Sequence, residues 1–254
     1  RVVCQHQKNA SEGMTAVKYS FASSAKTSRP VAHVVRRPTV VEAMKQSQGV
    51  LFWLVAPAGS GKTSICLDYL QDRGCSSAWV RLDVADRDPA SFFYYLEQSI
   101  LSGGIVSDWR APTFLPEHLQ APAAYTRLFL RSLAPVIAPD ACLVLDDAYN
   151  CQDAPFFGEF LSIVQEELPP GVHILICSRA APPPACSKAL AYGAMVEIDS
   201  VRLSFSREET ERLLAVLGVE DAAGKSEAVF EASQGWAVAI VLMATWLQRR
   251  PEAA

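Results

Sequence analysis

Short apolar runs alternate along the chain with longer segments whose apolar residues recur every three or four positions. Five runs have strand length and are bounded by turn-forming residues: 50–55, 77–82, 141–145, 173–177 and 194–198. Near-continuous runs such as Leu51-Phe52-Trp53-Leu54-Val55 suit strands buried on both faces of a parallel sheet, since each face must be apolar. Helical spacing fills the intervals at 64–70, 91–101, 125–137 and 156–168. Pro38 and Pro89 suit first helical turns, and Pro169-Pro170-Gly171 closes the fourth of these helices. Residues 103–122 read as a loop-rich insertion. Strands alternating with helices predict an α/β fold with a doubly wound, mostly parallel sheet. After residue 198 the pattern turns helical. Ser206 with Glu209 three positions on forms a capping box, Leu213, Leu214 and Leu217 follow at helical spacing, and helices at 225–233 and 236–248 complete a small lid.

The run 50–55 leads directly into Ala56-Pro57-Ala58-Gly59-Ser60-Gly61-Lys62-Thr63-Ser64. This is the order of strand, phosphate-wrapping loop and helix start, and it matches G-x-x-x-x-G-K-[ST] except at Ala56. Each residue type has a reason. The first amides of a helix point outward without partners and carry the positive end of the dipole, so Ala58 through Ser64 present N–H groups to a polyanion. Gly59 and Gly61 let the backbone close round phosphates with no Cβ in the way. Lys62 supplies a point charge for the β- and γ-phosphates, Thr63 a hydroxyl for Mg²⁺, and Ser64 a hydroxyl near the α-phosphate. The motif predicts binding of a nucleoside triphosphate.

Such a loop needs a second strand ending in an acid. The run 141–145 ends in Asp146 and Asp147, at the carboxyl end of its strand, where open α/β sheets bind ligands. Asp146 is the expected holder of Mg²⁺, directly or through water. Asp147 is placed to orient or deprotonate an attacking water; the alternative is that it caps the following turn with Asn150 and Asp153. Arg179 ends the run that begins at His173. It reads either as a sensor of the γ-phosphate or as half of a surface ion pair. The aromatic run Phe92-Phe93-Tyr94-Tyr95 is assigned to packing rather than base stacking, because no basic residues are interleaved.

Composition narrows the picture. With 254 residues, half of them apolar, the chain can build one large α/β domain and a small appended one. We divide it into a flexible lead-in at 1–30, a P-loop NTPase domain at 31–200 and the start of a helical lid at 201–254. A net charge of −4 argues against this segment clamping nucleic acid by itself. Seven cysteines without a C-x-x-C pair, several of them inside strand or helix runs, suit a reducing compartment, hence the cytoplasm, and argue against a structural metal. The longest apolar stretch, 236–247, is shorter than the ~18 residues of a membrane span and reads as a buried helix. The polar run before Met14 suggests that Met14 is the natural start.

The residues Ala56–Thr63 with Ala78-Trp79-Val80-Arg81-Leu82-Asp83, Asp86, Asp88-Pro89, Leu143-Val144-Leu145-Asp146-Asp147, Cys177-Ser178-Arg179, Leu203-Ser204-Phe205-Ser206 and Gly235-Trp236-Ala237 together resemble the ATPase module of the MalT-like regulators. These are LuxR-type transcriptional activators of the signal-transduction ATPase (STAND) class, and the resemblance runs from about residue 31 to 247. It implies a switch rather than a metabolic enzyme. ATP and an inducer would favour self-association, ADP a resting monomer, and slow hydrolysis would reset the state. DNA would be bound by a C-terminal domain outside this sequence. The resemblance also implies that Val35 and Arg36 contact the adenine side. The family's usual lid motif, Gly-x-Pro, is Gly235-Trp236-Ala237 here. The rival readings are a P-loop small-molecule phosphotransferase and a binding-only scaffold stabilised by nucleotide.

Overall fold

A computed structural model describes residues 35–47 and 49–249. The expected lead-in at 1–30 and the start at Met14 lie outside the described residues. The first helix, α1 (Pro38–Gln46), has its proline in the first turn, where a missing N–H costs nothing. Strand β1 (Leu51–Val55) feeds the loop, and α2 (Lys62–Arg73) leaves it, ending on Gly74 in the left-handed conformation at φ 62°. Strand β2 (Ser77–Arg81) precedes α3 (Pro89–Ser102), whose N-cap Asp88 accepts a hydrogen bond from the Ser91 amide.

Helix α4 (Pro122–Leu133) follows the insertion. It begins three residues before the expected start at Tyr125 because Pro122 supplies the first turn, and it ends at Leu133 rather than at residue 137 because Pro135 has no N–H to continue the ladder. The insertion itself contains a 3-10 turn over Pro116–Leu119, whose His118 Nδ1 accepts from the Leu115 amide at 2.8 Å. Then come β3 (Cys142–Asp146), α5 (Pro155–Glu167), β4 (His173–Ser178), α6 (Ser187–Ala191) and β5 (Met195–Ile198). The chain closes with α7 (Ser200–Leu203), α8 (Arg207–Val216), α9 (Ala222–Ser233) and α10 (Ala237–Arg249).

The five strands are all parallel, in the order β2-β3-β4-β1-β5, with Trp53 level with Ile176 and Arg81 level with Asp146. The sheet is doubly wound, as the apolar runs predict. Leu51, Trp53, Val80, Leu143, Leu145 and Ile176 face α3, α4 and α5. Phe52, Leu54, Val144, Leu175 and Cys177 face α1 and α2. Period-2 geometry sends neighbouring residues to opposite cores, so the middle positions of β1, β3 and β4 are apolar on both faces, and polar residues such as Arg81, Asp146 and His173 fall at strand ends. The first core is knit by edge-to-face rings: Phe92 meets Phe93, Phe157 and Phe160 with centroids 5.3, 5.9 and 4.9 Å apart. The aromatics of α3 are thus core, apart from the outward Tyr94.

A third cluster, centred on Leu214 and Ile240, holds α8, α9 and α10 together, with Val35 packed against it. The capping box of α8 is present: the Ser206 hydroxyl accepts from the Glu209 amide and the Glu209 carboxylate accepts from the Ser206 amide. One expectation is corrected. Helix α10 is not buried: Ile240 and Ala244 face inward, while Leu242 is 64 % exposed and Trp246 47 %. An apolar run of this length satisfies a one-sided helix with an apolar outer face as well as a buried one.

Candidate functional site

The loop between β1 and α2 turns on two glycines in the left-handed region, Gly59 at φ 76° and Gly61 at φ 84°. Side chains rarely adopt these angles. At Gly59 a Cβ would also lie 2.6 Å from Val238 Cγ1, so the lid itself requires glycine there. Lys62 Nζ donates to the Ala56 and Pro57 carbonyls at 2.6 and 2.8 Å. Burial, the largest cause, holds the Lys62 pKa below that of a free lysine.

Thr63 Oγ1 donates to Asp146 Oδ2 at 3.3 Å, joining the first turn of α2 to the end of β3. Asp146 is buried, and its pKa is raised first by burial and then by the charge of Asp147. Asp147 adopts the left-handed conformation at φ 57°, and its side chain makes no capping bond to the turn that follows. It pairs instead with Arg81, whose Nε lies 2.9 Å from Asp147 Oδ2. Arg179 leaves the end of β4 with its guanidinium 4.3 Å from the centre of the Tyr149 ring.

These groups converge. A cleft of about 370 Å³ is lined by every residue from Ala58 to Ser64 and, facing them, by Asp146, Asp147 and Arg179. Its far wall comes from the lid: Phe205, Leu213, Val238 and Val241. Val35 lines the cleft and Arg36 does not. Arg36 turns to the outside of α2, pairing with Asp68 and Asp72. The arginine on the cleft is its neighbour, Arg37, a residue the sequence did not single out. Arg37 is buried, and four of its five N–H donors are bonded: Nε and Nη2 donate to Glu209 at 3.1 and 2.9 Å, and Nη1 and Nη2 to the Leu203 and Ser204 carbonyls at 2.6 and 2.8 Å. Its guanidinium also stacks 4.5 Å from the Phe205 ring centre.

The lid also touches the loop through its backbone. Trp236 Nε1 donates to the Ala58 carbonyl at 3.1 Å, and the Val238 amide to the Gly59 carbonyl at 3.0 Å. The motif Gly235-Trp236-Ala237 thus marked a loop contact, but spacing alone assigns it only to a helix start.

The donor set suits a magnesium nucleotide. Unpaired amides begin α2, Lys62 adds a cation, and Thr63 and Asp146 offer hard oxygen ligands side by side. A parallel doubly wound sheet with this loop after β1 and this acid after β3 is a P-loop NTPase fold.

The comparisons agree with that class. No protein-family model matches the chain. Among curated proteins, the HTH-type transcriptional regulator MalT of Vibrio parahaemolyticus is 28% identical over 240 residues, covering 89% of this chain and 25% of the regulator. MalT of Vibrio campbellii is 29% identical over 242 residues, with the same coverages of 89% and 25%. The chain therefore spans about a quarter of the length of the curated relatives it matches. Among solved structures, a signal transduction ATPase with numerous domains (STAND) carrying a tetratricopeptide repeat sensor, from Pyrococcus horikoshii, aligns at a TM-score of 0.56 and 14% identity, over 83% of this chain and 29% of that one. That likeness shows the fold. The resemblance to MalT-like regulators read from the motifs holds over most of the chain. No described helix is long and apolar enough to cross a membrane.

Proposed function

We propose that this chain is the ATP-binding switch module of a cytoplasmic transcriptional regulator, with slow hydrolysis and with nucleotide state controlling self-association. The observation that carries the reading is the convergence of the two left-handed glycines, Lys62 and the Thr63–Asp146 pair on a cleft closed on one side by the lid. The amides of α2 and Lys62 bind the phosphates, and Thr63 with Asp146 holds Mg²⁺, which when bound neutralises charge on the terminal phosphates. Val35, Phe205, Leu213 and Val241 give the cleft an apolar wall suited to a flat base. Asp147 orients the attacking water once released from Arg81, and Arg179 faces the same cleft to stabilise developing charge. Similarity to MalT supports placing the module in a DNA-binding regulator, with DNA contacted by another part of the protein and with an inducer of unknown chemistry.

Calorimetry with Mg-ATP and Mg-ADP tests binding, and gel filtration with each nucleotide tests assembly. The expected result is binding of both and a larger species with ATP. No heat at millimolar nucleotide overturns the nucleotide reading, and equal elution overturns the switch. Phosphate release that is stimulated by a small-molecule acceptor would instead identify a phosphotransferase, and tight binding with no hydrolysis a scaffold.

A further inference from the structure

Among the described cysteines, Cys66, Cys75, Cys142 and Cys177 form two close pairs with no disulfide between them. Cys66 Sγ lies 3.4 Å from Cys177 Sγ, and Cys75 Sγ lies 3.4 Å from Cys142 Sγ. The pairs sit in different surroundings. Cys66 and Cys177 are both fully buried between α2 and β4. The contact with Cys66, and then burial, hold the Cys177 thiol well above the ordinary value. Cys75 is half-buried, in the link between α2 and β2. Its hydrogen bond with Cys142 is the largest influence on it, and together with the neighbouring Arg73 guanidinium it lowers the Cys75 pKa despite partial burial. Its partner Cys142 stays a thiol, raised by that same contact and by burial. The backbones are already joined beside the pair, since the Cys142 amide donates to the Ser76 carbonyl at 3.1 Å.

We infer that Cys75 and Cys142 form an oxidisable dithiol, which a hydroperoxide converts to a disulfide bolting the α2–β2 link to β3 while Cys66 and Cys177 stay reduced. The Cys75 thiolate attacks one peroxide oxygen. The O–O bond breaks, hydroxide leaves, and Cys75 becomes a sulfenic acid. The Cys142 sulfur then attacks Cys75 Sγ; the S–S bond forms, the S–O bond breaks, and hydroxide leaves with the Cys142 proton as water. Two thiols and one hydrogen peroxide give one disulfide and two waters, the peroxide accepting both electrons. The sulfurs need only close from 3.4 Å to about 2.05 Å. The bond would join the link that follows α2 to the start of β3, at the opposite end of these elements from Lys62, Thr63 and Asp146.

The test is hydrogen peroxide added to the reduced, purified chain, followed by digestion without reductant and mass analysis. The expected product is a peptide joined through Cys75 and Cys142, two hydrogens lighter than its parts and lost on treatment with dithiothreitol. In Cys142→Ser, Cys75 is expected to persist as a sulfenic acid that a dimedone probe labels. In the unsubstituted chain that label is expected to be weak, because the disulfide consumes the sulfenic acid. Cys75 remaining a thiol overturns the inference. So does Cys75 labelled by dimedone as strongly in the unsubstituted chain as in the variant, or a bond formed by Cys66 and Cys177. The measurement on the unsubstituted chain decides even if the variant fails to fold.

Discussion

Lys62 and Asp147 line one cleft, yet each is held by a different neighbour. Lys62 donates to carbonyls of its own loop, so a phosphate exchanges those two bonds for charge-assisted ones. Removing the ammonium in Lys62→Ala should weaken Mg-ATP binding by about 10- to 100-fold, the weight of ~1.5–3 kcal/mol for a hydrogen bond to a charged group. Calorimetry showing unchanged affinity would refute the loop assignment. Asp147 is tethered to Arg81, on β2 and level with Asp146. Asp147→Asn should keep nucleotide affinity and lose about 100-fold or more in hydrolysis, as expected for a general base. Arg81→Ala should free the carboxylate and raise hydrolysis about two- to fivefold, the scale of an exposed ion pair. A fall in turnover in that variant would mean that Arg81 positions Asp147 rather than restrains it. Lys62 and Thr63 were legible because the loop pattern is local, and Asp146, though 83 residues from Thr63, because an acid at the end of an apolar strand run is itself a local pattern. Arg37 was not. Its carboxylate partner lies 172 residues away, and no local pattern announces so distant a pair.

At the scale of elements, α8 is held twice by one side chain. Glu209 caps its own helix through the Ser206 amide and receives Arg37 from the segment before α1. A buried carboxylate and guanidinium bonded to each other are costly to separate, because the survivor keeps its charge without a partner. Glu209→Gln should therefore loosen the lid against the sheet. The expected observation is faster amide exchange in α8 with little change in the strands; uniform protection throughout would show that the clamp carries no such role. Ser206→Ala, which removes only the cap, should cost about 1 kcal/mol of stability by denaturant titration. The element order was readable because apolar runs of strand length fit only a doubly buried sheet. The misreading of α10 has the same origin: an apolar run states that a helix has apolar faces, not how many of them are covered. Trp236 and Val238 bond the loop while Leu242 and Trp246 face outward.

The whole molecule separates chemistry from fastening by the two edges of its sheet. The carboxyl ends of β1, β3 and β4 carry the loop, Asp146 and Arg179. The opposite edge carries a bonded cluster in which Tyr69 Oη lies 2.5 Å from His173 Nδ1 and Arg73 Nη1 lies 2.9 Å from the same nitrogen. Arg73 also donates to the Gly171 carbonyl at 3.0 Å, tying α2 to the turn before β4. His173 Nδ1 has a single lone pair and can accept a hydrogen bond here only while it carries no proton. Burial, and then the Arg73 charge, depress the His173 pKa from 6.5 to about 4. The folded chain then binds its proton later than the unfolded chain does, so the unfolded state gains protons first as pH falls. The stabilisation is complete above pH 6.5, declines as pH drops toward about 4, and is exhausted below that. His173→Gln should flatten this slope in urea midpoints measured across that interval; an equal slope in both proteins would remove His173 as its source. Five residue steps of β4 place His173 about 16 Å from the carboxyl end of that strand, the side of the sheet that carries the cleft. Nucleotide affinity at neutral pH should thus be the same in His173→Gln as in the parent, because what this edge fastens is the scaffold and not the cleft.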